Sequence, residues 1–177
     1  KPKPIPVIYD SDIGDDIDDT WALGFLLRCP ELDVKLVIGD YGKPDYRARL
    51  FAKFLERAGR TDIPIGSGVE VDPTKRTGRQ WEWVRDYDLK SYPGAVHADG
   101  VRAMIDIIMN SERQVTLIAV GPTTNIAAAL RREPLLELVD RLLGHHDVLA
   151  VHHVVGGQVG VGHHLDPDEV AAREHER

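Results

Sequence analysis

The chain has a single cysteine, Cys29, in 177 residues. No internal disulfide and no cysteine-based zinc site can therefore be built, and Cys29 is expected to be a small buried hydrophobe at a helix end. Clustered Lys and Arg are also missing. The 22 basic residues stand against 29 acidic ones, a formal net charge of -7 with histidine neutral, which argues against a nucleic-acid backbone or an anionic membrane as principal partner. No apolar run reaches the ~20 residues of a membrane span. No charged segment followed by an apolar one opens the chain as a signal peptide would. The first residue is Lys1 rather than Met, which leaves room for an upstream segment. A cytoplasmic location is the expectation, with a secreted or periplasmic one left open. A hydrophobic content of 42% suffices for one core and is short for two, so residues 1–177 are expected to form a single domain.

What the sequence has in excess is aspartate in one place. "VIYDSDIGDDIDDTWAL", residues 7–23, carries Asp10, Asp12, Asp15, Asp16, Asp18 and Asp19 between two apolar runs. Such a cluster is either a solvated acidic turn or the cradle of a cation.

Periodicity places the cluster in a fold. "IPVIYD" (5–10) reads as a buried strand, and "DDTWALGFLLRCP" (18–30) as a helix opened by acidic residues and closed before proline. "DVKLVIGD" (33–40) is a second strand. In residues 46–60, Leu50, Phe51, Phe54, Leu55 and Ala58 recur at helical spacing, with Gly59 as the stop. "IPIGSG" (63–68) is a third strand. Residues 69–94 are polar and turn-rich but hold Trp81, Trp83, Tyr87 and Tyr92; they are either a functional loop or a surface excursion whose aromatics pack onto the domain. A helix over 99–110 and a strand over 115–120 follow, then the turn "GPTTN" and a helix beginning at Ile126. Alternating strands and helices imply right-handed crossovers and a parallel sheet covered on both faces, an α/β fold. Ligands in such sheets bind beyond the carboxyl ends of the strands, here Asp10, Asp40, Gly66 and Gly121.

Capping and the helix dipole explain Asp18 and Asp19 at a helix start. They do not explain Asp10 and Asp12 at a strand end. Loop and helix N-terminus fold the two pairs toward one point, and converging carboxylates suit a hard divalent cation, Ca2+ or Mg2+. Asp15 and Asp16 are left to solvent. An EF-hand does not fit, because Gly14 stands at the fifth loop position and a strand precedes the loop. The D-x-D of a haloacid dehalogenase phosphatase does not call for a second aspartate pair opening the helix.

These residues resemble the inosine/uridine-preferring nucleoside hydrolases. "DSDIG" followed by "DDTWAL" is similar to the family's D-x-D-x-G and D-D-A-x-A-L, with Asp15 and Asp16 as a short insertion. "VTLIAVGPTTNIAAAL" (115–130), "AGRTDIPIGSG" (58–68) and "HADG" (97–100) resemble three further family segments in the same order. The resemblance implies a Rossmann-like three-layer α-β-α fold with a mainly parallel sheet, incomplete relative to the full family fold. It covers about residues 1–134, with 135–177 as a divergent tail. It further implies hydrolysis of a ribonucleoside to ribose and free base through an oxocarbenium-like transition state, with Ca2+ holding the ribose hydroxyls and the attacking water. On that reading Asp18 is the general base. Asp12, Asp19 and the Thr124 carbonyl are calcium ligands, and Asp10 and Asn125 contact the substrate. A homo-oligomer is also a family expectation.

Two departures stand beside the resemblance. A turn with a ribose-contacting asparagine follows the second strand in the family; here "YGKPD" brings Lys43, to which that role is not transferred. The family's asparagine-rich segment and its C-terminal histidine-aspartate pair find no counterpart, since "VGHHLDPDEV" lies too early in the chain. The alternative is therefore a non-catalytic remnant that keeps only the metal loop. Seven of the eight histidines fall between His145 and His175. The doublet His152-His153 does not suggest a zinc or nickel site, because neighbours on a strand point opposite ways.

Overall fold

The computed structural model describes residues 2–71 and 78–136. The histidine-rich segment and the tail expected after residue 135 lie, but for Leu135 and Leu136, outside them. The elements follow in order: β1 (Ile5–Ser11), α1 (Asp18–Leu26), β2 (Leu32–Gly39), α2 (Pro44–Ala58), β3 (Ile65–Gly66), α3 (Trp81–Val84), a 3-10 turn (Leu89–Ser91), β4 (Val96–His97), α4 (Gly100–Met109), β5 (Thr116–Val120) and α5 (Thr124–Arg132).

The strands form one parallel sheet in the order β4-β3-β2-β1-β5. The chain steps outward from β1 to β4 on one side, then returns to lay β5 against the other side of β1. The crevice where the order reverses, between the carboxyl ends of β1 and β5, is where such sheets take ligands. The aspartate loop leaves β1 at that point.

Alternation along the strands divides the core. Val7, Tyr9 and Val37 face α1 and α2, meeting Leu23, Leu26, Leu50, Phe51 and Leu55. Ile8, Leu36 and Ile38 face the other way, onto Val101, Met104 and Ile105 of α4 and Ala128 and Ala129 of α5. A register shift between Val7 and Ile8 lets Val34 and Leu36 serve opposite faces, with the exposed Lys35 between them. The helices end where the sequence dictates. Pro44 sits in the first turn of α2, and Gly59 takes a left-handed conformation, φ 67°, just past its end.

The three-layer parallel α/β architecture agrees with the sequence reading; two details differ, β4 and Cys29, and the aromatics of 69–94 follow one of the two readings left open. β4 is two exposed residues, too short for any hydrophobic alternation to announce it. The aromatics of 69–94 mostly pack inward: Tyr92 donates from its hydroxyl to the Ile63 carbonyl at 2.8 Å, and Trp81 and Tyr87 lie against the core. Trp83 stays 40% exposed, with the Lys53 ammonium over its ring. Cys29 is half-buried rather than buried, its thiol directed at the Phe25 carbonyl. Among the described residues, no helix is long and apolar enough to cross a membrane.

Candidate active site

The loop after β1 is held by backbone groups before any carboxylate is considered. Gly14 adopts φ 109°, where a Cβ would stand 2.3 Å from Leu50 Cδ1 and 2.6 Å from the Tyr46 hydroxyl. Only glycine enters that turn without strain. The Tyr46 hydroxyl donates to the Gly14 carbonyl at 2.8 Å and accepts from the Gln80 N–H at 3.1 Å. Ser11, buried at the end of β1, accepts from the Ile13 N–H and donates to Asp19 Oδ1 at 2.9 Å. Strand end and helix start are thereby joined across the loop.

Asp10 is buried at the carboxyl end of β1. One oxygen, Oδ1, accepts from the Asn125 amide at 2.9 Å; among the described residues the other, Oδ2, is buried with no hydrogen-bond partner. Burial first and the neighbouring Asp40 next push its carboxyl well above the usual carboxylate range, against the Asn125 hydrogen bond. Asp12 is half-buried, and its carboxyl is raised by burial while the Arg47 guanidinium opposes the rise. Asp19, in the first turn of α1, is 8% exposed and is pushed up to about 7, by burial first and then by Asp12 and Asp18, against the Ser11 hydrogen bond. Asp18 is exposed at the start of α1, with Oδ1 accepting the Asp19 N–H at 3.1 Å. Of the two pairs singled out by spacing, Asp10, Asp12 and Asp19 are buried or half-buried, whereas Asp18 is exposed, as is Asp16. Asp15 departs from expectation. It pairs with the buried Arg47 at 2.8 Å instead of standing free in solvent, while the exposed Asp16 pairs with Arg79 at 3.0 Å.

Thr124 and Asn125 open α5 on the far side of the switch point. Thr123, just before them, takes φ 60° and gives the helix no side-chain cap. A carboxylate from another strand does so instead: Asp40, buried at the end of β2, accepts the Thr124 N–H at 3.3 Å and the Thr124 hydroxyl. Asn125 is fully buried and densely bonded. Its amide donates to Asp10 at 2.9 Å and to the Gly39 carbonyl at 3.0 Å, and its oxygen accepts the Val69 N–H at 2.8 Å. Both of its donors are engaged, so the structure places it behind Asp10. Asn125→Ala would leave a buried carboxylate oxygen, a carbonyl and an N–H without partners at once. A loss of about 3 kcal/mol in unfolding free energy is expected, to be read from the midpoint of urea denaturation.

Asp40 is the residue that sequence reasoning passed over as a site member. Its signal was its place at a strand end, but its partner lies 84 positions away. A Cβ on Gly121 would come within 3.1 Å of Asp40 Oδ2 and 3.3 Å of Asp12 Oδ1, so these carboxylates flank the start of the β5–α5 turn. Lys43, in the turn after β2, reaches Glu70 at 2.9 Å.

The donor set suits a hard cation: carboxylate oxygens, with one buried oxygen on Asp10 lacking a hydrogen-bond partner and neighbours that disfavour each other's charge. Among the described residues no group of three or more His, Cys, Asp or Glu side chains is close enough to hold a metal ion by itself. A bound ion would draw also on backbone carbonyl, water or substrate oxygens.

Comparison with known proteins bears on the same region. The model of the inosine-uridine preferring nucleoside hydrolase family matches residues 7–159. Over 167 residues the chain is 30% identical to the pyrimidine-specific ribonucleoside hydrolase RihA of Escherichia coli O1:K1, and over 171 residues 32% identical to RihA of an Enterobacter species. Each alignment covers 89% of this chain and 50% of the relative, so the chain spans about half the length of these curated relatives. Among solved structures, a plant nucleoside hydrolase is 29% identical with a TM-score of 0.56, covering 75% of this chain and 44% of that one. An inosine-uridine preferring nucleoside hydrolase from Bacillus anthracis is 20% identical with a TM-score of 0.60, covering 76% of this chain and 47% of that one, a likeness of fold.

Proposed function

Because this chain belongs to the inosine-uridine preferring nucleoside hydrolase family, we propose that it hydrolyses the N-glycosidic bond of ribonucleosides, giving ribose and free base. The observation that carries the reading is the set of carboxylates at the switch point, with Asp10 Oδ2 buried and unpartnered among them. Asp12 and Asp19, with the Thr124 carbonyl, would hold Ca2+. Bound there, the ion would supply Lewis acidity to a water and a grip on two ribose hydroxyls. Asp10 keeps an acceptor for a ribose hydroxyl, and Asn125 fixes the direction in which that acceptor points. Asp18, exposed at the start of α1, would accept the proton of the attacking water.

The unpartnered oxygen of Asp10 favours a second assignment of one role, in which Asp10 takes that proton and Asp18 only lines the entrance. A buried base, its carboxyl raised by burial, is better matched to water than an exposed one.

None of the described residues at the site is an evident acid for the departing base, and that makes a prediction about substrates. A p-nitrophenolate leaves without protonation, whereas a purine or pyrimidine profits from it. With saturating Ca2+ the full chain is expected to turn over p-nitrophenyl riboside at least about tenfold faster than inosine or uridine. The sugar product should be free ribose, formed without phosphate. No release from any of the three, from a folded chain with Ca2+ bound, would contradict the enzyme reading and favour the remnant that keeps only the metal loop.

A further inference from the structure

Arg47 lies in the first turns of α2, where the sequence gives it the look of an ordinary helix-surface residue, yet it is 2% exposed. Each of its guanidinium nitrogens donates a hydrogen bond. Nη1 donates to the Ile13 carbonyl at 2.6 Å, Nη2 to Asp15 Oδ2 at 2.8 Å, and Nε to the Tyr41 carbonyl at 3.2 Å. The first two acceptors belong to the loop after β1 and the third to the loop after β2, so one side chain ties the two loops that border the switch point. Room is made for it by Gly39, where a Cβ would stand 2.4 Å from Arg47 Cβ. The Tyr46 ring lies 5.4 Å from the guanidinium carbon.

Burying a guanidinium costs several kcal/mol of hydration before its partners offset the loss. A purely structural peg between two loops would be cheaper as an apolar side chain. What the guanidinium adds is a fork of donors that meets two oxygens of the aspartate loop at once, the Ile13 carbonyl and Asp15 Oδ2. Asp15, which the sequence reading treated as a solvated insertion, is the anchor through which the arginine grips the loop.

We propose that Arg47 is a positioning residue for the cation site, restraining the aspartate loop through Ile13 and Asp15 before a divalent ion arrives. The inference rests on the cation-binding reading above. It assigns to Arg47 no contact with ion or substrate; the guanidinium acts through the loop.

The test is calorimetric titration of Ca2+ into the metal-free 177-residue chain, for wild type, Arg47→Met, Arg47→Lys and Asp15→Asn, with circular dichroism to establish the folded fraction. Groups that orient metal ligands from behind typically contribute about 10- to 100-fold in affinity. Folded Arg47→Met is therefore expected to bind Ca2+ about tenfold or more weakly. Arg47→Lys, which keeps the charge but not the fork, should recover part of that loss, and Asp15→Asn should show a smaller loss of about threefold. Equal or tighter binding by folded Arg47→Met overturns the proposal, because a mere peg, or a cation that repels Ca2+, would behave so. If Arg47→Met does not fold, wild-type affinity in both Arg47→Lys and Asp15→Asn overturns it. A wild type that binds no Ca2+ overturns the cation reading itself, and this clamp with it.

Discussion

Asp18→Asn is expected to cut ribose release by about a thousandfold, the middle of the range for loss of a positioned general base, while Ca2+ affinity changes by less than about threefold. The amide is nearly isosteric and still accepts the Asp19 N–H that Asp18 accepts in the native loop. The fold has no reason to change, and a calcium titration run beside the assay separates the two effects. Asp10→Asn is the necessary companion. If Asp18→Asn retains most of its turnover and Asp10→Asn loses it, the proton acceptor is the buried aspartate with the unpartnered oxygen. If both lose turnover and neither loses Ca2+, base and ribose anchor are divided as proposed.

The second large effect is expected at the inner ligands. Asp12→Asn and Asp19→Asn each remove one charge from a site whose donors are carboxylates, and affinity for Ca2+ follows ligand charge count. Each dissociation constant is expected to rise on the order of a hundredfold, with turnover at fixed sub-saturating Ca2+ falling in parallel and recovering in part when Ca2+ is raised. Metal-free stability should move the other way. Both carboxyls are disfavoured in their charged form by burial, so the neutral amide relieves the apo fold. Thermal unfolding in chelator should shift upward for these variants. If Asp12→Asn, Asp19→Asn and Asp18→Asn behaved alike in both assays, the division into ligands and base would be wrong.

The fold was legible because its signals are local. Apolar runs of strand length alternate with segments such as 46–60 whose hydrophobic residues return every three or four positions, and each helix of that kind needs only its own sequence to declare its buried face. β4 escaped because two exposed residues have no periodicity to read. The candidate site was legible by halves. Asp10, Asp12 and Asp19 could be singled out because a dense run of like charges at a strand end needs an explanation, and Asp18 because it begins a helix. Asp40 showed only its place at a strand end and Arg47 showed nothing, because what ties them to the candidate site is a partner far along the chain: Thr124 for Asp40, and Ile13 and Asp15 for Arg47. Asn125 was read as a residue facing the substrate, whereas its side chain spends both donors on Asp10 and Gly39 and its oxygen accepts from Val69. Spacing reports which residues are near one another along an element; it does not report which side-chain atoms are already spoken for.

The central claim joins a cation to a glycosidic cleavage at one set of aspartates, and the most direct test measures both in one titration: ribose release from p-nitrophenyl riboside by the metal-free chain as free Ca2+ is raised from chelated levels. The account predicts a baseline near zero and a saturable rise whose midpoint coincides with the calorimetric Ca2+ dissociation constant and moves upward in Asp12→Asn. Turnover indifferent to chelation, or a wild type silent with Ca2+ fully bound, would contradict it.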